Sequence, residues 1–200
     1  MLEQFPFWDR AALLAGLMVV GAAVEWWKRG RAATRYKEYG FIWLTGFIGC
    51  LVGGANDFIT SSVSPGYFVV GKGLAPGDEF HLRAVIFGVQ EGLSAGVVAG
   101  AICVYVARRK SRQPPLGFDK VLGQLWKPVI CAVVGALLVP LLVGGTDPAK
   151  LAARLSEAGE NAAMIPAFLR VWWIHTGLYA GLLAGLIWLI AAVLLARKKL

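Results

Sequence analysis

Three ionisable residues of this chain stand where a carboxylate or an imidazole is out of place. Glu91 lies within the apolar run from Ala84 to Ala107, His175 within the run from Leu169 to Ala196, and Asp57, beside Asn56 and Thr60, near the end of another run. A carboxylate at membrane depth costs ~2.5–3.5 kcal/mol on insertion scales, so Glu91 must be protonated, paired, or turned towards water or protein. Brought together, Asp57, Glu91 and His175, with Tyr67 and Tyr179 nearby, suit a proton relay, a cation site or a ligand pocket. The plain alternative is a Glu and a His each satisfied structurally, in a vestibule of no special chemistry.

Metal and haem chemistry find little to work with. His81 falls in a connection rather than on a span facing His175, so bis-histidine haem ligation is not set up. Cys50, Cys103 and Cys131 lie in apolar runs without CxxC spacing and read as small buried hydrophobes. No GxSxG, HExxH, P-loop or dinucleotide-binding fingerprint follows a strand anywhere. We expect no metal and no cofactor.

The elements that must carry these residues are set by composition. The chain is 58% hydrophobic and 16% charged, where a soluble domain has about 45–50% and about 25%. With a mean hydropathy of +0.64, its environment is a lipid bilayer. A helix needs ~20 mostly apolar residues to cross, and five stretches qualify: Ala11 to Trp27, Gly40 to Thr60, Ala84 to Ala107, Leu125 to Gly145 and Leu169 to Ala196. The expected fold is all-α, a polytopic bundle of five transmembrane helices in one membrane domain. Glu3 and Asp9 ahead of the first run, with only Arg10 to offset them, are the wrong charge for a signal peptide, so that run is read as a span.

Basic residues fix the expected orientation. Lys28, Arg29, Arg31, Arg35 and Lys37 fill the first connection, Arg108, Arg109, Lys110, Arg112 and Lys120 the third, and Arg197, Lys198 and Lys199 close the chain. With five spans these positions share one side, which the positive-inside rule makes cytoplasmic. The expectation is a bacterial inner-membrane protein with its N-terminus outside and its C-terminus in the cytoplasm. A net charge of +8 does not point to nucleic acid, because the charges flank spans instead of interleaving with stacking aromatics. Trp8, Trp26, Trp27, Trp43, Trp126, Trp172 and Trp173 fall near the expected interfaces.

Two spans share the pattern GLxAGxxAG, from Gly92 to Gly100 and from Gly177 to Gly185. Leu51-Val52-Gly53-Gly54 is likewise matched by Leu142-Val143-Gly144-Gly145, with Asp57 and Asp147 shortly after. The hairpin of spans two and three therefore reads as repeated in spans four and five, in the same orientation; recurrence of Gly, Ala and Leu by composition is the alternative. Gly88, Gly92, Gly96 and Gly100 make one small-residue stripe, and Gly177, Gly181 and Gly185 another. Such stripes let backbones approach. The two are expected to pack on each other within the chain, although self-association or a membrane-complex partner would also use them. At 100° per residue, stripes so packed would turn Glu91 and His175 into different crevices.

The outer connections are longer than turns. Ser61 to Arg83 reads as an ordered, mostly irregular loop carrying Tyr67 and Phe68. In the other, Asp147 and Pro148 open a short surface helix over about 148–159.

The stretch Asn56-Asp57-Phe58-Ile59-Thr60, running on to Gly66-Tyr67-Phe68, resembles an uncharacterised group of small bacterial multi-span membrane proteins. There a span ends His-Asp-Gln-Ile/Val-Thr and continues to Glu-Tyr-Phe; Asn56, Phe58 and Gly66 stand here for the His, Gln and Glu. A later His-x-x-x-Tyr-x-x-Gly of that group is matched by His175 and Tyr179, with the glycine one position early at Gly181. The resemblance implies an outer-side site built from Asp57, Thr60, Tyr67 and His175. The functional expectation is a non-enzymatic, transport-like, ligand-sensing or accessory component with an outer polar vestibule. The alternatives are an assembly subunit of a membrane complex and a membrane enzyme using Asp57, Glu91 and His175.

Overall fold

The computed structural model describes residues 6–108, 116–143 and 164–199. Among them the elements are helices: α1 (Phe7–Arg29), α2 (Arg35–Val63), α3 (Phe80–Arg108), α4 (Phe118–Leu122), α5 (Trp126–Leu142) and α6 (Ile165–Lys198). Five stretches are long and apolar enough to cross a bilayer, α4 and α5 counting as one from Phe118 to Leu142. The chain is an all-α, multi-pass membrane bundle. α1, α2, α3 and α6 outrun their apolar stretches because a helix ends where its backbone groups find partners, not where the hydrocarbon ends.

The α1–α2 turn shows such an end. Glu25 is buried near the end of α1, and its carboxylate accepts the backbone N–H groups of Thr34 (3.0 Å) and Arg35 (2.7 Å) while pairing with Arg29 (3.2 Å). A side chain from one helix thus caps the start of the next, where unpaired N–H groups and the positive dipole end favour an anion. The rest of α1 touches little: Leu13, Leu17, Val19 and Val20 are exposed. Trp8, Trp26, Trp27, Trp126 and Trp172 are exposed near helix ends as well.

The glycine stripes decide the packing, though not as expected. They do not meet each other. A Cβ on Gly92 would overlap the carbonyl oxygen of Gly49, one on Gly88 that of Gly53, and one on Gly96 that of Thr45, so α3 lies backbone to backbone on α2. Equally, Gly177 lies on Gly135, Gly181 on Cys131, and Gly185 on Pro128, where a Cβ would come within 2.5 Å of a Cα, so α6 lies on α5. Each stripe is consumed inside its own hairpin. The reason is that α2 and α5 offer small residues at facing turns, Gly46, Gly49 and Gly53 on one and Ala132 and Gly135 on the other.

The two hairpins share one packing register. Gly49 on Gly92 corresponds to Gly135 on Gly177, the Thr45–Gly96 contact to Cys131–Gly181, and the Ile42–Gly100 contact to Pro128–Gly185. In this register Gly53 corresponds to Val139, which corrects the pairing of Leu51-Val52-Gly53-Gly54 with Leu142 to Gly145. That match is local in sequence, whereas the backbone contacts set a different one. Gly144, Gly145, Asp147 and the surface helix expected over 148–159 lie outside the described residues.

Between hairpins, contact concentrates at two apolar clusters. At one end Tyr67, Phe68, Phe80, Ala84, Ile165, Phe168 and Val171 pack together. At the other, Phe41, Cys103, Ala107, Leu189 and Val193 meet Leu116 and Val121 from the α4 region, and Arg197 donates to the carbonyl of Val106 at 2.6 Å. The Ser61–Arg83 connection is not mostly irregular: α2 runs on to Val63, and Tyr67–Gly71 forms a turn of π-helix. That turn sets Phe68, fully buried, into the first cluster.

Leucine in place of Gly92 or Gly177 must push the facing backbones apart, and should destabilise the protein by about 1–3 kcal/mol or more. Val98→Leu, at an exposed position of α3, should stay within about 0.5 kcal/mol. Thermal unfolding in detergent checks this, and equal tolerance of both changes would put the stripes against lipid.

Candidate functional site

At the end of the bundle where α2 finishes, three elements bring polar groups to one place. On α2, Asn56 and Thr60 share a face at i and i+4, with Asp57 beside them. Thr60 Oγ1 donates to the Asn56 carbonyl (2.7 Å), and Asn56 Nδ2 donates to Asp57 Oδ1 (3.0 Å). From α6, His175 Nε2 lies 3.2 Å from Asn56 Nδ2, 3.3 Å from Thr60 Oγ1 and 3.5 Å from Asp57 Oδ1. Asp57 and His175 are each only 2% exposed. The imidazole is walled by the rings of Tyr67 (4.8 Å between centroids), Phe68 (5.9 Å) and Tyr179 (6.3 Å).

The tautomer of His175 decides what this cluster does with its proton. With a lone pair on Nε2, the imidazole accepts from the Asn56 amide; with a proton there, it donates towards Asp57 and Thr60. Asp57 and Thr60 face the same ring nitrogen. A nucleophile–histidine–carboxylate relay needs the two on opposite nitrogens, so Thr60 is not activated as a nucleophile by this pair.

Glu91 on α3 makes the second half of the site. Its Oε2 accepts from Lys72 Nζ at 2.5 Å and from the Tyr179 hydroxyl at 2.8 Å. Lys72 follows the π-helical turn and its ammonium sits over the Phe87 ring, 4.7 Å from the centroid. The side chains of Lys72 and Glu91 are 12% and 35% exposed. Tyr179, one helical turn from His175, joins the two halves. Burial, then the Glu91 and Asp57 carboxylates, push the Tyr67 phenol up to about 12, so it stays a neutral group throughout the physiological range.

The structure therefore brings Asn56, Asp57, Thr60, Tyr67, Glu91, His175 and Tyr179 into one region. The stripes that were expected to separate Glu91 from His175 pack elsewhere, and Tyr179 links the two: it donates to Glu91 and its ring lies 6.3 Å from that of His175. His81 stays apart, with Nδ1 3.2 Å from Ser61 Oγ. Among the described residues no group of three His, Cys, Asp or Glu side chains is arranged to hold a metal. Sequence reasoning missed Lys72. Its signal was an intramembrane carboxylate in want of a cation, next to a connection otherwise poor in basic residues.

A cleft of about 90 Å³ runs from this region between the hairpins. Its polar end is Asn56, Asp57, Glu91 and Tyr179, its floor is Gly49, Gly53, Gly88 and Gly92, and its far end is Cys103, Leu125, Pro128 and Leu189. A Cβ on Gly88 would come within 2.8 Å of the Cβ and Cγ of Asp57, so this glycine makes the room for the carboxylate. Across the α3–α6 seam, a groove of about 680 Å³ shares Glu91, Ala95, Ala99, Tyr179, Leu182 and Leu186 with the cleft. Comparison with protein-family models, curated proteins and solved structures finds no match.

Glu91→Leu leaves the Lys72 ammonium and the Tyr179 hydroxyl without their acceptor, and should destabilise by ~1–3 kcal/mol. Adding Lys72→Leu should recover most of that loss. Thermal unfolding of the single and double variants reads the coupling, and a Glu91→Leu protein as stable as the wild type would mean that the pair contributes nothing.

Proposed function

We propose that this chain is a small transport-like or ligand-sensing membrane component in which the cleft between the two hairpins takes a small amphipathic molecule. Asp57 and Glu91 hold its polar end, with His175 behind Asp57. The observation that carries this reading is the contrast in packing: each hairpin is zipped backbone to backbone, while between hairpins a cleft is left whose charged lining lies at one end. Two stiff units meeting at a slot are the elements from which rocking-type transporters with parallel repeats are built. An apolar cluster packs the hairpins together at each end of the bundle, with the cleft between them open sideways to the α3–α6 groove, and alternate opening of the two clusters would expose it to each side. The resemblance of the Asn56–Phe68 stretch to the bacterial membrane group, with its implied site at Asp57, Thr60, Tyr67 and His175, agrees with a polar end at this position.

The assembly-subunit reading loses its main support, since the stripes it would use are occupied inside the hairpins. For orientation we keep the positive-inside reading: the site end outside, the basic end and C-terminus in the cytoplasm of a bacterial inner membrane. A cytoplasm-active reporter fused after Leu200 should then give signal, and one inserted at Gly73 should not. The opposite pattern would invert the protein.

Occupation of the cleft is tested with 1-butanol and the protein in nanodiscs. The alanine methyl resonances of Ala95 and Ala99, which line the cleft, should shift saturably, while that of the exposed Ala12 follows bulk partitioning. Ala95→Phe should abolish the shift at Ala99, and Val134→Phe on an exposed face of α5 should not. A linear shift at all three alanines in the wild type would sink the proposal.

A further inference from the structure

The charges at the polar end of the cleft do not balance. Glu91 is met by Lys72 and Tyr179, both on the same oxygen. Asp57 has the Asn56 amide and His175 at Oδ1, but its other oxygen, Oδ2, is buried without a hydrogen-bond partner among the described residues. With a neutral imidazole, Asp57, Glu91, Lys72 and His175 together carry one uncompensated negative charge. Asp57 lines the cleft and is 2% exposed, and a carboxylate so placed is unfavourable unless a group in the cleft meets its charge.

The rest of the cleft narrows the donor. A bare metal cation needs several oxygens around it, whereas beyond Asn56, Asp57, Glu91 and Tyr179 the lining near this end is glycine and aliphatic carbon. An anion would meet two carboxylates. A neutral hydroxyl could donate to Oδ2 but would leave the charge in place. An ammonium does both, and carbon attached to it would lie among Ala95, Ala99, Leu182 and Leu186. The cleft of about 90 Å³ is smaller than the roughly 150 Å³ that holds a benzene ring, so the carbon chain must be thin and unbranched. Because Glu91 and Tyr179 also line the groove across the α3–α6 seam, such a molecule has a way in from that side.

We propose that the ligand of this site is a primary ammonium carrying an unbranched apolar chain, its nitrogen against the Asp57 carboxylate and its chain along the cleft. The assignment rests on the cleft-binding reading above and names the chemistry it takes. A free alkylamine presents this group; in an ethanolamine-headed phospholipid a phosphate stands close behind the ammonium, an anion that the two carboxylates would repel.

The test uses the full chain in phosphatidylcholine nanodiscs, titrated separately with n-butylammonium, 1-butanol, butyrate and benzylammonium while the Ala99 methyl resonance is followed. Butylammonium should bind about tenfold more tightly than butanol, the size of one charge-assisted hydrogen bond, with butyrate and benzylammonium weaker than either. Asp57→Asn should erase the preference for ammonium over alcohol while leaving butanol binding intact, which also reports that the variant is folded; Asn56→Ser, should Asp57→Asn not fold, should weaken the preference by loosening the carboxylate. If butanol and butylammonium bind alike in the wild type, the ammonium assignment falls and the cleft reading stands. If neither saturates, both fall. Native mass spectrometry after reconstitution with phosphatidylethanolamine checks the chain: butylammonium binding without lipid retention supports a free alkylamine, and lipid retention by wild type but not by Asp57→Asn overturns the unbranched-chain assignment. Equal lipid retention by both proteins, together with no preference for butylammonium, would overturn the proposal.

Discussion

Everything in this bundle follows from helices that touch backbone to backbone. In a bilayer, burying a leucine between two helices gains little over leaving it in lipid, so helices associate through close packing and short polar contacts. Gly49, Gly53, Gly88 and Gly92 remove the side chains that would keep α2 and α3 apart, and Gly135, Gly177 and Gly181 do the same for α5 and α6. The approach brings many atoms within van der Waals range at once and permits Cα–H···O contacts along the seam. Because a glycine face can be used only once, committing both stripes to the hairpin interiors leaves ordinary side chains to mediate contact between them. That is why the cleft lies between hairpins rather than within one.

The same constraint places the charges. Gly88 is at once a packing residue against Gly53 and the space into which Asp57 fits, so the seam and the site are one construction. Glu91 flanks the stripe, which turns it out of the α2–α3 seam and towards Tyr179 of α6. Its cost in the membrane is offset by a lysine that arrives from outside the spans, carried inward by the turn at Tyr67–Gly71. An extra residue per turn there changes which way the following side chain leaves the helix, and π-turns recur at functional sites for that reason.

The spans, their order and the polar residues were legible because hydropathy and intramembrane charge are local properties of a sequence. Glu91 and His175 stood out by residue type alone. Pairing was not legible in the same way. The stripe of α3 fits any glycine-bearing helix, and only three-dimensional packing chooses Gly46, Gly49 and Gly53 of α2 over the like stripe of α6. From that one undecided choice came the mistaken expectation that the two stripes pack on each other. Lys72 was hidden for a different reason: a lysine in a connection reads as solvated, and nothing in its neighbours announces a turn that folds back on α3.

A repeated scaffold carrying an unrepeated site has a physical logic. In the shared register Gly88 corresponds to Trp173, Asp57 to Val143 and His175 to Gln90, so the second hairpin keeps the backbone seam and drops the carboxylate pocket. Had both hairpins kept an aspartate in one cleft, two like charges would have faced each other across a low-dielectric gap, where their repulsion is least screened. One carboxylate and one imidazole, contributed by α2 of the first hairpin and α6 of the second, instead attract. The contact between Asp57 and His175 then spans the boundary between the two hairpins, together with the Glu91–Tyr179 hydrogen bond. Anything that changes the charge at Asp57, a proton or a bound cation, acts on the contact between the two hairpins.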